Sequence, residues 1–458
     1  MSPANALIDF VDSVAAAPAA AASGSTGALS AAAPSTTLMH IAFRHGPVGV
    51  VDTATPQGNA WLQVLTSLQR NGAPTYVELD PVNGHVTRVL QPHVVQVIAI
   101  TNIVDGVEVE LQISHAKHYL RKSQPDYARL LAALKDALAK KTRVAVTETP
   151  VDHEIFEVSA LPAGDADIAP AAAPAAAPGS GQEGPVATAT ATATVPLAQA
   201  QRLFELMNSK VCCPAGAAAP CITFGYPDDG CWGRAHEMYR LMAAEGVIAD
   251  KIWIYGSLRV ATRNNPRCEV RWGWHVAPTL LVDVGGGRSE TYVIDPSLFP
   301  GPVPRAAWAG VQGDPNASLV PSAGTVFHRS SSGGITLDPT YSQTNAVLDR
   351  YRNELRLRAT GADGPPPYLA CLPAQAGVQF YGSVAPGATH SWFTFGWPAK
   401  WHVLWSVVPL TTCPGAPQLK WRTRVERANA TQATYWIVVT NTSSATVRFE
   451  GRYDVLSR

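Results

Sequence analysis

An Ala-, Pro- and Thr-rich tract at residues 161–195 limits what this chain can fold into. The tract includes the runs APAAAPAAAPGSGQEG and ATATATAT, which carry no helical or strand pattern of apolar residues. Its prolines prevent a continuous helix, and it offers nothing for a core. Such a segment is exposed to proteases. The chain must therefore fold as separate parts on the two sides of a linker.

Two further composition shifts complete the expected organisation. We expect residues 1–37, rich in Ala, Ser and Pro from residue 13 onward, to form a disordered N-terminal segment. The run GADGPPP at 361–367 marks a second boundary. The parts between these breaks are an α+β region at 38–160, a mixed region at 196–360 and an all-β region at 368–458.

Charge and hydropathy exclude two classes of partner. Lys plus Arg and Asp plus Glu each number 35, so the net charge is zero, which argues against binding to a nucleic-acid backbone. No apolar run approaches the roughly 20 residues that a membrane helix needs, so we expect no membrane span. The N-terminus carries Asp9 and Asp12 and no basic stretch, so no signal peptide is visible.

The region 38–160 carries a weak internal duplication. Each half has a helical stripe of large apolar residues followed by two strand patterns. The stripes contain Trp61, Leu62, Leu65 and Leu68 in one half and Tyr127, Leu130, Leu131 and Leu134 in the other; the strand patterns are 76–79 with 86–90, and 143–146 with 155–158. Two copies would form one α+β domain or two small ones, and chance similarity is the simpler alternative.

The region 368–458 predicts a β-sandwich. Short alternating runs at 392–395, 401–408 and 435–440 are separated by turn residues. Six of the twelve tryptophans lie in this region. They could form a face that binds carbohydrate or protein, although core and edge positions of a sandwich explain them more simply.

A cysteine lies at the predicted start of a helix. Asp229 can cap this helix, and Gly246 follows as a stop signal. One apolar stripe joins Trp232, Ala235, Tyr239 and Met242. Cys231 would then lie in the first turn, where the helix dipole favours a nucleophilic thiolate. Taken alone, the residue is better interpreted as a structural cysteine or half of a disulfide.

A nucleophile needs a base and a group that orients the base. Strand patterns on both sides of the turn 285–287 predict an antiparallel hairpin. His275 and Asp295 lie ten residues before and after Gly285, so they become near neighbours across the hairpin. Asp283 is the competing acid, but it lies about 26 Å from His275 along one strand at roughly 3.3 Å per residue. We therefore expect Asp295 to be the partner of His275.

The other histidine near the cysteine is a poor candidate. His236 lies about 140° around the helix from Cys231 at roughly 100° per residue, so we expect it to pack or to form hydrogen bonds. The sequence shows no His/Cys cluster with the spacing of zinc ligands. We therefore expect no metal and no cofactor.

The region around these residues resembles the bacterial protein-glutaminases, which deamidate glutamine side chains within proteins. The resemblance covers roughly 197–345, with the family's segments in order and at similar spacing. These segments are Pro220–Phe224, Asp229–Cys231, Arg234–His236, Trp274–Ala277, Ile294–Phe299, Gly301–Val303 and Val326–Ser330. The stretch 38–90 also resembles the inhibitory pro-segment of this family.

The resemblance implies a papain/transglutaminase-like core for the catalytic domain at 196–360. Together with the sequence patterns, it leads us to expect an α+β fold in which an inhibitory, possibly duplicated pro-region at 38–160 precedes this domain and a C-terminal β-sandwich follows it. By motif match, Cys231 is the nucleophile, His275 the acid/base and Asp295 the orienting carboxylate. Trp232 and Trp274 flank these residues and would wall the slot for the substrate glutamine, although packing explains them equally well.

Setting Cys231 aside leaves six cysteines for disulfides. Cys371 and Cys413 both lie in the expected C-terminal domain and could pair. The resemblance implies two bridges within a set of four, for which three arrangements are open. That set is Cys212, Cys213, Cys221 and Cys268.

We therefore expect a secreted, bacterial protein-glutaminase made as a zymogen. Its partners would be proteins or peptides with exposed glutamine, and a protease that cuts the linker. The rival enzyme interpretations are a transglutaminase-like acyltransferase, a cysteine protease and a toxin-like effector that deamidates one target. The non-enzymatic alternative is a binding protein with a vestigial catalytic fold.

Overall fold

The computed structural model describes residues 5–16, 37–161, 194–212, 221–368, 371, 376–412 and 416–457. The chain divides into two compact units, Met1–Cys371 and Leu372–Arg458. The predicted linker lies almost wholly outside the described residues. Among the residues that are described, no helix is long and apolar enough to cross a membrane.

Two consecutive α+β repeats form the N-terminal part of the first unit. The first contains β1 (Ala6–Ala16), β2 (Leu38–Phe43), β3 (Gly49–Asp52), α1 (Pro56–Arg70), β4 (Pro74–Leu79) and β5 (Val86–Leu90). The second contains β6 (His93–Ile103), β7 (Gly106–Leu111), β8 (His118–Arg121), α2 (Tyr127–Lys140), β9 (Arg143–Glu148) and β10 (Ile155–Ala160).

The two repeats share one topology. Their antiparallel sheets have the strand orders β3-β2-β1-β4-β5 and β8-β7-β6-β9-β10, and in each repeat the helix follows the third strand. Each helix buries its apolar stripe in its own core, with Leu65 and Leu68 of α1 and Leu130 and Leu134 of α2 fully buried. Full burial of one such leucine stabilises the fold by roughly 1.5–3 kcal/mol. The duplication therefore extends to complete folding units.

The first repeat begins earlier than the sequence predicts. Strand β1 pairs with both β2 and β4, so the expectation of disorder over residues 1–37 is wrong for residues 6–16. The reason is that Phe10 and Val11 are buried, the latter in the core of the repeat, although Ala-rich sequence follows them. The structure therefore moves the start of the expected pro-region from residue 38 to β1.

The central region is a mixed α/β fold built on one antiparallel sheet. Its elements are β11 (Val195–Pro196), α3 (Leu197–Asn208), α4 (Cys231–Ala244), β12 (Asp250–Ala261), β13 (Glu269–Gly285), β14 (Arg288–Val293), β15 (Val303–Pro304), α5 (Arg305–Gly310), β16 (Ser318–Ala323), β17 (Val326–Arg329), β18 (Ile335–Leu337) and α6 (Ser342–Ala359). The sheet order is β15-β14-β13-β12-β16, and β11 joins it parallel to β13.

Helix α4 lies against this sheet and is buried on more than one side. Met238 and Met242 pack with Leu280 and Val282 of β13. Trp232 packs with a second cluster that includes residues of β12 and α6. A helix so enclosed holds its first turn in a fixed position relative to β13, which is what a site assembled from both elements requires.

The C-terminal unit is a β-sandwich, as the sequence predicts. It contains β19 (Ala376–Val384), β20 (Thr389–Pro398), β21 (His402–Pro409), β22 (Leu419–Arg427), β23 (Gln432–Asn441) and β24 (Val447–Ser457). These strands form the sheets β19-β24-β21 and β20-β23-β22. Trp405 lies in the core between aliphatic residues of both sheets, whereas Trp421 and Trp436 are exposed.

The disulfides correct the predicted pairing. Cys212 bonds to Cys221, and Cys268 bonds to Cys371. The expected pair of Cys371 with Cys413 is therefore wrong, because Cys371 belongs to the first unit and already has a partner. Cys213 and Cys413 lie outside the described residues.

Candidate active site

Cys231 is the first residue of α4. The preceding Gly230 is the N-cap, with φ of +84°, and a Cβ at this position would lie 2.3 Å from the ring of Tyr351. Only glycine meets both conditions without strain. The expectation that Asp229 caps the helix is therefore wrong. Cys231 is 1% exposed and is the free cysteine of the described part of the chain.

His275 and Asp295 form a buried pair. His275 lies in β13 and Asp295 follows β14 by two residues, so the hairpin brings them together. Nε2 of His275 lies 2.8 Å from Oδ2 of Asp295. The pairing of Thr279 with Val293 shows that the register differs by two residues from the predicted one. Asp295 nevertheless reaches the imidazole from beyond the strand end.

Aromatic side chains fix the orientation of this pair. The imidazole of His275 stacks between the rings of Trp272 and Trp308, with centroids 4.4 and 5.5 Å away. The indole of Trp308 also donates a hydrogen bond of 2.9 Å to Oδ2 of Asp295. Burial acts to raise the pKa of Asp295, but His275 and the hydrogen bond from Trp308 hold that pKa below its ordinary value. The carboxylate is thus kept ionised beside the imidazole.

The sulfur of Cys231 lies close to the same histidine ring. A ring nitrogen of His275 and the sulfur lie within 4.8 Å of each other. Nδ1 is the ring nitrogen that Asp295 leaves unused, and it has no hydrogen-bond partner. Burial raises the pKa of the Cys231 thiol well above its ordinary range. Burial therefore opposes the thiolate that the start of the helix would favour.

Asp283 and His236, which the sequence makes poor candidates, have hydrogen-bond partners other than Cys231 and His275. Asp283 is exposed near the hairpin turn, where its carboxylate accepts a hydrogen bond of 2.8 Å from the backbone of Gly285. The ring of His236 contacts the amine of Lys251 at 2.8 Å. His236 therefore has the hydrogen-bonding role that the sequence predicts.

A segment of the second N-terminal repeat covers the site. The carbonyl of His115 accepts a hydrogen bond of 2.9 Å from the backbone of Gly273 in β13. Ala116 forms an antiparallel bridge with Trp272, and Lys117 donates to the carbonyl of Arg271 at 3.2 Å. Residues 115–117 thus pair with β13 as an added strand would. We call residues 113–117 the covering segment.

Asp229 holds the covering segment in place. Its carboxylate accepts hydrogen bonds from the hydroxyl of Ser114 at 2.7 Å and from the backbone of His115 at 3.0 Å. Tyr351 donates to the same carboxylate at 2.5 Å. Burial alone would raise the pKa of Asp229, but the hydrogen bonds that its carboxylate accepts hold that pKa well below its ordinary value. Asp229, two positions before Cys231, is therefore an anionic anchor for the segment.

The ring of His115 occupies an aromatic slot beside the cysteine. Its centroid lies 5.1 Å from Trp272, 5.4 Å from Trp274 and 6.0 Å from Trp232. Burial lowers the pKa of His115 to about 4, so the ring is neutral near pH 7. The structure thus brings both predicted slot residues, Trp232 and Trp274, around one side chain.

Sequence reasoning missed four residues of this site. Trp272 and Trp308 carry no motif that distinguishes them from core residues, although Trp272 stands three positions before His275. Ser114 and His115 lie in a polar stretch remote from every chemical motif in the sequence. Only the fold brings them to Cys231.

Comparison with known proteins bears on this region. Residues 200–312 match the family model Gln_deamidase_2, described as Glutaminase. A structure of protein-glutaminase is 34% identical, covering 35% of this chain and 90% of its own, with a TM-score of 0.32. The NMR structure of protein-glutaminase from Chryseobacterium proteolyticum is 35% identical, covering 34% and 86%, with a TM-score of 0.31.

A structure of pro- protein-glutaminase is 25% identical and covers 62% of this chain and 99% of its own, with a TM-score of 0.44. A search of curated proteins found no significant match. The family model covers the region that holds Cys231, His275 and Asp295, and the chain spans 90% of a protein-glutaminase structure at 34% identity. Through that region the chain belongs to the protein-glutaminase family.

Proposed function

We propose that this protein hydrolyses the side-chain amide of glutamine in proteins and peptides, with Cys231, His275 and Asp295 as a catalytic triad. The observation that carries the proposal is the arrangement at the start of α4. There the buried sulfur and a ring nitrogen of His275 lie within 4.8 Å of each other, and Nε2 of the same ring lies 2.8 Å from the buried carboxylate of Asp295. Nucleophilic catalysis needs this order of groups.

The proposed reaction is acyl transfer through a thioester. Cys231 loses its proton to His275, and its sulfur attacks the carbonyl carbon of the glutamine side chain. Backbone amides in the first turn of α4 stabilise the negative oxygen that forms. His275 gives its proton to the departing amide nitrogen, so ammonia leaves and the thioester remains. His275 then removes a proton from water, which attacks the thioester and releases glutamate.

The covering segment supports a zymogen. The ring of His115 fills the slot between Trp232 and Trp274 in which we place the substrate glutamine. A peptide paired along residues 271–273 of β13 would present one side chain to Cys231, as the segment does. We propose that a protease cuts the linker and that the N-terminal repeats then leave the site. The two disulfides favour an oxidising compartment, and we propose that the protein is secreted.

The proposed deamidation is tested with protein from which the N-terminal repeats have been removed by proteolysis. We expect ammonia release from an intact glutamine-containing protein, more than from free glutamine, and no release by Cys231→Ala. Circular dichroism checks that the variant is folded. Release by Cys231→Ala would overturn the proposal, and incorporation of an amine probe in preference to hydrolysis would assign a transglutaminase instead.

The test of latency compares the same protein before and after limited proteolysis. We expect little deamidation by the intact chain and a large increase after the linker is cut and the N-terminal fragment is separated. Equal activity of both forms would make the repeats an accessory domain rather than an inhibitor.

A further inference from the structure

The covering segment brings a second histidine to the proposed catalytic cysteine. One ligand atom each of His115, Cys231 and His275 lies within 4.8 Å of the other two. All three side chains are buried, and they come from a loop, a helix start and a strand. A neutral imidazole, a second imidazole and a thiol are the ligand set that Zn²⁺ prefers in proteins.

The free nitrogens of the two histidines support this interpretation. Nε2 of His115 and Nδ1 of His275 are buried without a hydrogen-bond partner. A buried polar atom without a partner costs roughly 1–3 kcal/mol, and a bound cation would remove that cost at both rings. Neither atom is needed to hold its own side chain in position.

The opposite nitrogens of both rings face carboxylates. Nε2 of His275 lies 2.8 Å from Asp295. Nδ1 of His115 lies 3.0 Å from Oδ1 of Asp229, although its alignment falls short of a hydrogen bond. Histidines that bind metals typically present their second nitrogen to a carboxylate, which orients the ring and raises its basicity. Both rings have this arrangement.

We propose that the latent form binds Zn²⁺ through His115, Cys231 and His275, so that the metal locks the covering segment onto the catalytic residues. Binding displaces the thiol proton to solvent and leaves a fourth position for water. Tetrahedral zinc with these ligands spaces the donor atoms about 3.3–3.6 Å apart. Because the donor atoms already lie within 4.8 Å of one another, small side-chain movements are enough to reach this spacing. Loss of the segment removes one ligand and weakens the site.

The regulatory part of this inference depends on the proposed function, whereas the binding part does not. Its direct test is a titration of the intact, metal-free chain with Co²⁺, which replaces Zn²⁺ and reports its ligands by absorption. We expect one equivalent of Co²⁺ to give a thiolate-to-metal charge-transfer band, together with visible absorption bands as intense as those of tetrahedral Co²⁺ sites. Addition of Zn²⁺ should abolish both kinds of band. We also expect Zn²⁺ to slow alkylation of Cys231 by iodoacetamide and EDTA to restore it.

Variants assign the ligands. We expect His115→Ala and Cys231→Ser to abolish the charge-transfer band. The matched control is His93→Gln. This change disrupts the other possible metal-binding cluster of the described residues, which consists of His93, His118 and Glu148 and contains no sulfur. The control variant should keep the charge-transfer band. A Zn²⁺-dependent rise in melting temperature of the intact chain, absent in His115→Ala, gives a second readout should Cys231→Ser fold poorly.

Absence of the band in the intact chain, or its persistence in His115→Ala, would overturn the inference. Ammonia release by the separated catalytic part is measured independently. If the intact chain shows the charge-transfer band but its cut form releases no ammonia, the metal site is supported and the proposed enzyme activity is overturned. If the cut form is active but the intact chain shows no band, the activity is supported and the metal site is overturned.

Discussion

At the scale of single residues, the site depends on which carboxylate supports His275. Asp295 accepts from both His275 and Trp308 in a buried environment, whereas Asp283 is exposed and binds only a turn amide. We expect Asp295→Asn to lower kcat/KM for deamidation by about 10²–10⁴-fold, because the amide cannot stabilise the imidazolium. The measurement is ammonia release by chain freed of its N-terminal repeats.

Asp283→Asn is the matched control for this prediction. It makes the same chemical change on the same hairpin and should leave kcat/KM unaltered. Equal losses in both variants would mean that the hairpin as a whole, and not the carboxylate beside the imidazole, limits the reaction.

Residues tied to a local pattern were predictable from the sequence. Cys231 is marked by the helix start, and His275 and Asp295 are marked by symmetry about a glycine turn. The sequence singles out Asp229 but assigns it the wrong role. Gly230 is the N-cap of α4, so the carboxylate of Asp229 is free to accept hydrogen bonds from Ser114 and His115. The sequence places Cys231 at a helix start, which favours the thiolate, but it does not reveal the burial that raises the pKa of this thiol.

At the scale of elements, the covering segment behaves as a bound peptide. It pairs with the same edge of β13 on which we place the substrate backbone, and it inserts one side chain. We expect His115→Gln to convert the segment into a substrate, because the introduced amide would lie in the slot beside Cys231. Peptide mass mapping of the intact chain should find glutamate at position 115.

The control for self-deamidation is the double variant His115→Gln with Cys231→Ala, which should retain glutamine at that position. The cut form of the His115→Gln variant is assayed in parallel. If that form is active but the glutamine at position 115 of the intact variant stays unmodified, residue 115 does not occupy the substrate position.

Elements with strong periodicity were predictable, and those defined by long-range pairing were not. Helices α1 and α2 and their following strands appear where the apolar stripes place them. Strand β1 was missed because its residues border an Ala-rich tract and gain their burial only from β2 and β4. The covering segment was missed for the same reason, since its partner β13 lies more than 150 residues away in the sequence.

At the scale of the whole molecule, the second repeat adds buried titratable groups to the first unit. His93 is buried with Nε2 3.2 Å from Glu148, and burial lowers its pKa from 6.5 to about 4. The unfolded chain therefore takes up a proton near pH 6.5 that the folded chain takes up only near pH 4. Stability from this group is complete above pH 6.5 and falls as the pH drops, by on the order of 2 kcal/mol at pH 5.

Hydrogen exchange of the amides of β6 and β9 at pH 7 and pH 5 measures this loss. We expect His93→Gln to lose less stability than the unaltered chain between these two conditions. His402→Gln, a change at an exposed histidine of the C-terminal unit, should follow the unaltered chain. An equal pH dependence in all three proteins would exclude His93 as the source.

The boundary between the two units gives the last prediction. The sequence places the end of the catalytic domain at residue 360, but the bond from Cys268 to Cys371 makes Cys371 part of the first unit. A chain that ends after Cys371 should deamidate a small glutamine peptide as the full chain does once the repeats are removed.

Cys371→Ser should lower the stability of the first unit by about 2–4 kcal/mol, because it opens a long covalent loop. Urea unfolding of both proteins measures the difference. If Cys371→Ser unfolded at the same urea concentration as the protein with the bond intact, this bond would not be a source of the unit's stability.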